Sequence, residues 1–398
     1  MTEERRRRTT GVVGETAVTF AVKSARDLGL QFTDNPHRMV GQDGAYSIPL
    51  GQGEALWFFG DTLIGARTPG ESLWFPGGRR LGPGDMSGHG LIERLLTNSA
   101  CIVNARTGRG GLRPYQYILD GRGSLHQLVP RLAGEHPDEV RVWCFHGLAQ
   151  GEAVWLFYQT VRMLADGPMP VNFEIIGSGL AAGRRGDWTF RRLAAPGAGG
   201  PDGTIWWPAN QPQFGAAVLP SAGDGFLYVF GVLKDAGGVQ RCHVARVPSD
   251  RIEDRAAYEY LAEPAPERQG AAHEGSGTKG GPAWTGDPRR SVPIMSGMPN
   301  ELSVSWNPRL GRYLAVHSLD LTGRIVGRTA PHPWGPWSEP VVLWTVVPPR
   351  LDYEVPYPPL IYAGKEHPEL AEEDGRVIYV TYVEFEEYFP HLVEVELE

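Results

Sequence analysis

Two aspartates at matched positions in one predicted hairpin are the residues best suited to chemistry. Asp43 and Asp61 lie nine residues before and nine residues after Gln52, the centre of a turn that contains glycine. Antiparallel pairing places positions equidistant from a turn face to face, with Cβ atoms about 5 Å apart. Two carboxyl groups at this distance repel, so one keeps a proton while the other is ionised. The pair therefore predicts general acid/base chemistry; alternatively, each aspartate only begins an Asx turn.

The hairpin is the first of five similar units. Each has an apolar strand, a connection and a second strand rich in aromatic and β-branched residues; the second strands are residues 55–59, 153–157, 226–230, 312–316 and 377–381. An irregular repeat of small antiparallel sheets is typical of a β-propeller. With 52 Gly and 34 Pro, the chain also favours many short strands over long helices. We predict an all-β, five-bladed propeller with four-stranded antiparallel blades around a central funnel.

Polar residues recur where the innermost strand of each predicted blade begins, at the mouth of the funnel. Glu301 joins the two aspartates as a candidate catalytic residue, although pairing with Arg309 or Arg312 is an alternative for it. Amides, cations and aromatic rings suit sugar hydroxyls and ring faces. The candidate substrate-binding residues are His37, Arg38, Tyr46, Arg141, Asn210, Gln211, Gln213, Asn300, Tyr357 and His367, with Trp206 and Trp207 as further rings for stacking.

The remaining segments divide the chain into a tail and one domain. Residues 1–16 contain the run Arg5–Arg8 and are expected to form a flexible tail, and residues 17–398 form the propeller. Residues 17–22 are expected to pair with the alternating strand near the C-terminus and close the ring. Residues 65–90 and 264–290 are rich in Gly and Pro, and the first of these loops leaves the hairpin beside Asp61, where a lid is one interpretation.

Charge and composition exclude several classes of function. The net charge is −8 over 398 residues, which disfavours a nucleic-acid partner. No stretch approaches the roughly 18 apolar residues of a membrane span. Because no export signal is recognisable, we expect a cytoplasmic protein. Scattered histidines and three cysteines predict neither a metal site nor a cofactor, and few free strand edges predict a monomer.

Several of these motifs resemble a known family. Gln42-Asp43-Gly44, the segment 56–62 that ends in Gly60-Asp61-Thr62, the segment 300–307 and the segment 379–382 are similar to a family of five-bladed propellers long labelled a domain of unknown function. Some of its members are endo-D-arabinanases, and the wider group is similar to the arabinanase and xylosidase propellers. The resemblance covers roughly residues 30–397 and implies that Asp43 and Asp61 are catalytic acids and that Glu301 is a site residue.

Three hypotheses about function follow. The first is a glycoside hydrolase for a furanoside or a similar small glycoside. The second is a biosynthetic isomerase, cyclase or lyase that uses the same acids for proton transfer, since the arabinanases of the family are typically exported and this chain shows no export signal. The third is a non-catalytic propeller that binds a sugar or a protein.

Overall fold

The computed structural model describes residues 20–82, 91–220, 223–263 and 281–398. The predicted tail, residues 17–19 of the predicted first strand and residues 264–280 lie outside this part of the chain. The first thirteen described strands are β1 Val22–Leu30, β2 Met39–Gln42, β3 Tyr46–Gly51, β4 Glu54–Phe59, β5 Thr62–Gly65, β6 Ile92–Leu96, β7 Ser99–Asn104, β8 Tyr115–Tyr117, β9 Val140–Gln150, β10 Ala153–Met163, β11 Phe173–Arg184, β12 Arg191–Arg192 and β13 Trp207–Pro208.

The C-terminal half of the chain continues the same pattern of short strands. These strands are β14 Gln213–Pro220, β15 Phe226–Lys234, β16 Gln240–Pro248, β17 Glu259–Ala262, β18 Ala283–Thr285, β19 Pro293–Ser296, β20 Ser303–Asn307, β21 Arg312–Ser318, β22 Arg324–Ala330, β23 Val341–Thr345, β24 Ile361–Glu366, β25 Val377–Glu384 and β26 Pro390–Leu397. The helical elements of the described residues are single 3₁₀ turns, at Pro76–Gly78, Pro201–Gly203, Arg255–Ala257, Pro288–Arg290, Pro368–Leu370 and Glu373–Gly375. The all-β prediction is confirmed.

Five antiparallel sheets follow one another along the chain. Sheet 1 is β3-β4-β7-β8, sheet 2 is β9-β10-β11-β12 with β13 also on β11, sheet 3 is β14-β15-β16-β17-β18 with β19 also on β16, sheet 4 is β20-β21-β22-β23, and sheet 5 is β24-β25-β26-β1. The predicted four strands are thus found in sheets 1, 4 and 5, whereas sheets 2 and 3 are larger. The first strands of successive sheets contact one another, β3 with β9, β9 with β14, β14 with β20 and β20 with β24.

The N-terminal strand pairs with the C-terminal strand, as predicted, but it lies further along the chain. In β1, Val22 pairs with Leu397 and Leu30 with His391. The prediction placed the pairing at residues 17–22 from the usual ring closure of propellers, and it did not consider the charged residues beyond them. Those residues suit an exposed edge, where Arg26 forms an ion pair of 3.2 Å with Glu394.

A small sheet that was not predicted extends the first hairpin. It has the order β2-β5-β6. Gln42 pairs with Thr62 in this sheet, and Tyr46 pairs with Phe58 in sheet 1, so both ladders share a register centred on Gln52. Between them the ladder is interrupted at residues 43–45 and 60–61, which we call the hairpin break.

Apolar side chains of the second strands fill the spaces between the sheets. Trp57, Phe58, Phe157 and Phe230 are among the fully enclosed residues. Trp206 and Trp207 are also fully buried, so the prediction that they stack on a sugar is wrong. Cys101, Cys144 and Cys242 are buried free thiols. None of the described residues forms a helix long and apolar enough to span a membrane.

Candidate active site

The hairpin break brings Asp43 and Asp61 to opposite positions of one ribbon. The ladders on both sides keep the same register, so residues 43 and 61 face each other between them. The main-chain carbonyl of Asp43 accepts hydrogen bonds from the N–H groups of Gly60 at 2.9 Å and Ala45 at 3.1 Å. A Cβ atom at position 60 would lie 2.5 Å from Asp43 Oδ1, so a larger residue there would displace the Asp43 carboxyl group. The break therefore places both carboxyl groups outside the regular ladder of backbone hydrogen bonds.

Asp43 is held as a proton donor by its surroundings. Burial, followed by the charges of Asp61 and Glu301, raises the pKa of Asp43 to about 8. Hydrogen bonds from Tyr362, whose hydroxyl lies 2.8 Å from Oδ2, and from Tyr388 oppose this rise only in part. The side chain of Asp43 remains partly accessible to solvent. It therefore carries a proton at neutral pH and can deliver that proton to a ligand.

Asp61 has a different environment, in which two cations and an indole N–H oppose the effect of burial. Trp143 donates its indole N–H to Oδ1 at 3.0 Å, and Arg141 Nε lies 3.7 Å from Oδ2. Burial raises the pKa of Asp61 above its usual range, while Arg141, Trp143 and Arg131 each lower it. The two aspartates thus differ in their partners: hydroxyl groups surround Asp43, and cations together with an indole N–H surround Asp61.

Glu301 approaches the hairpin break from the segment that precedes β20 in sheet 4. Its Oε1 accepts a hydrogen bond of 2.8 Å from Lys365 Nζ, which also donates to the carbonyl of Ala363 at 3.0 Å. The Lys365 ammonium lies 4.4 Å from the ring centroid of Tyr46. Burial lowers the pKa of Lys365, and the charge of Glu301 opposes that change. Glu301 therefore pairs with Lys365, and not with Arg309 or Arg312 as the alternative supposed.

Two predicted binding residues join this cluster of carboxyl groups, and four others lie in neighbouring loops. Tyr46 and Arg141 contact cluster residues directly. The amide of Gln213 donates to the carbonyls of Pro208 at 3.0 Å and Gln211 at 2.8 Å, which fixes the turn before β14. Asn210 is exposed, Gln211 is part of the same turn, and Asn300 accepts a hydrogen bond of 3.4 Å from Gln240.

His37 and Arg38 lie away from the three carboxyl groups. His37 packs edge-on against Tyr117, with ring centroids 5.6 Å apart, in a surface cleft of about 390 Å³. None of the three carboxyl groups lines this cleft. Arg38 forms an exposed ion pair of 2.6 Å with Glu93. They precede the first hairpin in the sequence, and the added strand β2 separates them from the hairpin break.

Tyr357 and His367 also have other partners. Tyr357 donates its hydroxyl to Glu386, and the same carboxylate accepts a hydrogen bond of 2.9 Å from Ser72. His367 is 1% exposed and stacks on Trp57, with ring centroids 4.1 Å apart. Burial lowers its pKa well below the usual range. Both side chains therefore stabilise the protein around the hairpin break without contacting its carboxyl groups.

The described part of the predicted lid segment packs against the body of the protein. Of residues 65–90, residues 83–90 lie outside the described part. Trp74 stacks on Phe385 at 4.8 Å, and Arg80 donates to the carbonyl of Gly167 at 2.8 Å. The segment therefore connects sheets 2 and 5 beside Tyr388, whose hydroxyl reaches Asp43.

Sequence reasoning missed several residues of the cluster. They are Trp143, Tyr362, Lys365, Tyr388 and Arg131. Lys365 offered one signal, because it stands with Glu366 in an otherwise apolar strand. Among the described residues, no group of three or more His, Cys, Asp or Glu side chains is arranged to hold a metal ion.

These features define an all-β protein with a carboxyl cluster where the first hairpin meets residues from sheets 2, 4 and 5. The chain belongs to the family described as a domain of unknown function, DUF4185, whose profile matches residues 25–394. A search of the curated proteins found no match.

Solved structures are similar to this chain over most of its length. A protein from Bacteroides ovatus ATCC 8483, provisionally described as a hydrolase, has 14% identity and a TM-score of 0.54 over 89% of this chain and 85% of that one. A family 117 glycoside hydrolase from Zobellia galactanivorans has 8% identity and a TM-score of 0.47 over 94% and 90% of the two chains. A GH43 β-xylosidase/α-arabinofuranosidase from a compost microbial metagenome has 12% identity and a TM-score of 0.44 over 94% and 95%. At these identities the likeness concerns the fold alone.

Proposed function

We propose that this chain is a glycoside hydrolase that acts on a furanoside or a similar small glycoside. The observation that carries the proposal is the convergence of Asp43, Asp61 and Glu301, of which Asp43 has a pKa of about 8 and the other two contact cations. Glycoside hydrolysis needs one protonated carboxyl group and one ionised carboxylate on either side of the scissile bond. The description of the Bacteroides ovatus protein as a hydrolase agrees with the proposal at the level of the fold.

Asp43 is the general acid of the proposed reaction. It gives its proton to the departing glycosidic oxygen as the bond from that oxygen to the anomeric carbon breaks. After departure of the aglycone, Asp43 is ionised, and the hydroxyl groups of Tyr362 and Tyr388 stabilise its charge. The tyrosines therefore keep the acid from becoming too weak to transfer its proton.

Asp61 or Glu301 is the ionised partner, and the choice fixes the stereochemistry. If Asp61 attacks the anomeric carbon, carboxyl groups about 5 Å apart fit a covalent intermediate and retention. If Glu301 activates water instead, a separation of roughly 6.5–9.5 Å fits inversion. NMR of the first anomer released distinguishes the two mechanisms. The five sheets are proposed to be the blades of a closed five-bladed propeller, with this site at the mouth of its funnel.

The test is cleavage of a panel of aryl furanosides and pyranosides, with arabinofuranosides first because of the family resemblance. The wild type is compared with Asp43→Asn, Asp61→Asn and Glu301→Gln, and with Glu93→Gln as an exposed control. We expect release of aglycone by the wild type and the control. Loss of roughly 10²–10⁴-fold is expected for Asp43→Asn. Full activity in both aspartate variants would overturn the proposal.

Product analysis separates this proposal from the other two hypotheses. Release of a free reducing sugar supports hydrolysis. A product of unchanged mass supports an isomerase or a cyclase, and an unsaturated product supports a lyase. Sugar binding without turnover that persists in Asp43→Asn and Asp61→Asn supports a binding protein.

A further inference from the structure

A pair of arginines beside Asp61 has more hydrogen-bond donors than the protein uses. Arg141 is 3% exposed, and its guanidinium donates to the carbonyl of Pro137. Its Nε is enclosed and has no hydrogen-bond partner among the described residues. The separation of 3.7 Å from Asp61 Oδ2 is too long for a hydrogen bond. A buried, unsatisfied donor of a charged group costs stability, so its retention calls for a functional reason.

Arg131, in the connection between β8 and β9, is a second cation that interacts with Asp61 by charge. It is half-buried, and within the described ranges none of its donors has a hydrogen-bond or ion-pair partner. Burial, followed by the charge of Arg141, lowers its pKa, whereas the charges of Asp61, Glu135 and Asp138 oppose that change. The two guanidinium groups are therefore close enough to repel each other.

The nearby carboxylates do not neutralise this pair. Arg192 Nη1 donates to both oxygens of Glu135, at 2.7 and 2.6 Å, so that carboxylate is already engaged. Asp43 is neutral at pH 7 because its pKa is about 8. Glu301 is paired with Lys365. Asp61 and Asp138 also interact with the pair by charge, but neither forms a hydrogen bond with Arg131 or Arg141 among the described residues. Arg131 is only half-buried, so an anion in solvent can reach it.

We propose that Arg131 and Arg141 form a subsite for an anionic group, a carboxylate or a phosphate, carried by the substrate next to Asp61. The planar guanidinium group binds such oxygens through paired N–H donors, so an anion would engage the donors of Arg131 and offset the repulsion between the two cations. The proposal rests on the proposed function and narrows it: the substrate class is a small acidic glycoside, such as a uronoside or a sugar phosphate. The anionic group binds away from the scissile bond and takes no part in bond breaking.

Binding is tested first, with inorganic phosphate and free glucuronate as probes in isothermal titration calorimetry at low salt, where charge interactions are least screened. The variants are Arg131→Gln and Arg131→Lys, with Arg122→Gln as an exposed arginine control. We expect the dissociation constant of the probe to rise by about tenfold or more in Arg131→Gln. Arg131→Lys is expected to recover part of the affinity, and Arg122→Gln to bind as the wild type does. Unchanged thermal unfolding of Arg131→Gln verifies that the fold is intact. Absence of binding by the wild type, or equal binding by Arg131→Gln, would overturn the subsite.

Kinetics then separates the subsite from the hydrolase proposal. The ratio of kcat/KM for an aryl glucuronide to that for the matching aryl glucoside is expected to exceed one in the wild type and to fall about tenfold in Arg131→Gln. Cleavage of neutral glycosides with no preference for acidic ones would overturn the proposed subsite and support the proposed hydrolase activity. Anion binding that depends on Arg131, without cleavage of any glycoside, would keep the subsite and overturn the hydrolase.

Discussion

Two regions of the protein contain carboxyl groups with raised pKa values, and only one of them is open to a ligand. At the hairpin break, the pKa of Asp43 is about 8. In the inner polar cluster, formed by Ser47, Ser305, Glu366, His367 and Thr381, burial raises the pKa of Glu366 to about 7. The two shifts have the same main cause, since burial disfavours the charged form of both groups.

The difference lies in access and in the satisfaction of polar atoms. In the inner polar cluster, His367 pairs with Ser47 at 2.6 Å and with Thr381 at 2.8 Å. Glu366 accepts a hydrogen bond of 2.8 Å from Ser305 and is 5% exposed. At the hairpin break, the Glu301 side chain is 18% exposed. A perturbed pKa alone therefore does not mark a functional site, because a sealed group cannot reach a substrate.

The largest expected contrast is in catalysis. Asp43→Asn removes the proposed proton donor and is expected to lower kcat/KM by roughly 10²–10⁴-fold. Glu366→Gln keeps the size of the sealed side chain, which is enclosed away from the proposed substrate, so its kcat/KM is expected to stay within about threefold of wild type, less than 1 kcal/mol. Steady-state kinetics on the best aryl glycoside of the panel measures both. An equal loss in the two variants would abolish the distinction between the regions.

The second contrast is in stability. His367→Ala leaves Ser47 and Thr381 unpaired and removes the ring stacked on Trp57. We expect a loss of about 2–3 kcal/mol in the free energy of unfolding, measured by urea denaturation. The kcat of the folded fraction is expected to be unchanged. A large fall in kcat without loss of stability would place His367 among the catalytic groups instead.

The third prediction concerns pH. Because Asp43 must be protonated, activity is expected to fall as pH rises through about 8, whereas Glu366→Gln leaves this limb in place. Stability is expected to depend on pH in the same direction as activity. Between the usual pKa of 3.8 and about 8, Asp43 holds a proton in the folded state but not in the unfolded state, so the free energy of unfolding declines as pH rises across that range. Asp43→Asn is expected to flatten this decline, which denaturation at several pH values measures.

The smallest effect is expected at Tyr362. Its hydroxyl stabilises ionised Asp43, so Tyr362→Phe raises the pKa of Asp43 further and moves the alkaline limb of the pH profile upward. A shift of up to about one pH unit corresponds to a hydrogen bond of about 1.4 kcal/mol. Tyr353→Phe is the matched control, because Tyr353 donates to Glu386 at 2.9 Å and not to Asp43. A downward shift in Tyr362→Phe would contradict the assignment of the limb to Asp43.

Local patterns predicted the sheets better than the site. The strands β4, β10, β15, β21 and β25 were found because each is a run of aromatic and β-branched residues bounded by turns. The small strands β2 and β6 were missed because they are short and mix apolar with polar or charged residues, and the edge strand β1 was placed too early in the chain. The facing of residues 43 and 61 was predictable, since symmetry about Gln52 sets the register of an antiparallel hairpin.

Local sequence patterns could not predict the partners that the site residues find in other sheets. Lys365 lies 64 residues from Glu301, and Trp143 lies 82 residues from Asp61. His37 was chosen because it precedes the first inner strand, and Tyr357 because its ring could stack on a sugar. The structure turns them toward Tyr117 and Glu386.

The sequence by itself determined the all-β class, the hairpin centred on Gln52 and the opposed pair of aspartates, because these depend on side-chain alternation and turn symmetry along a short stretch of chain. The tertiary structure alone decided which carboxyl group keeps its proton, which cations lie beside Asp61 and Glu301, and which buried histidine is sealed from solvent. Burial and Coulomb interactions depend on distances between sheets that are far apart in the sequence.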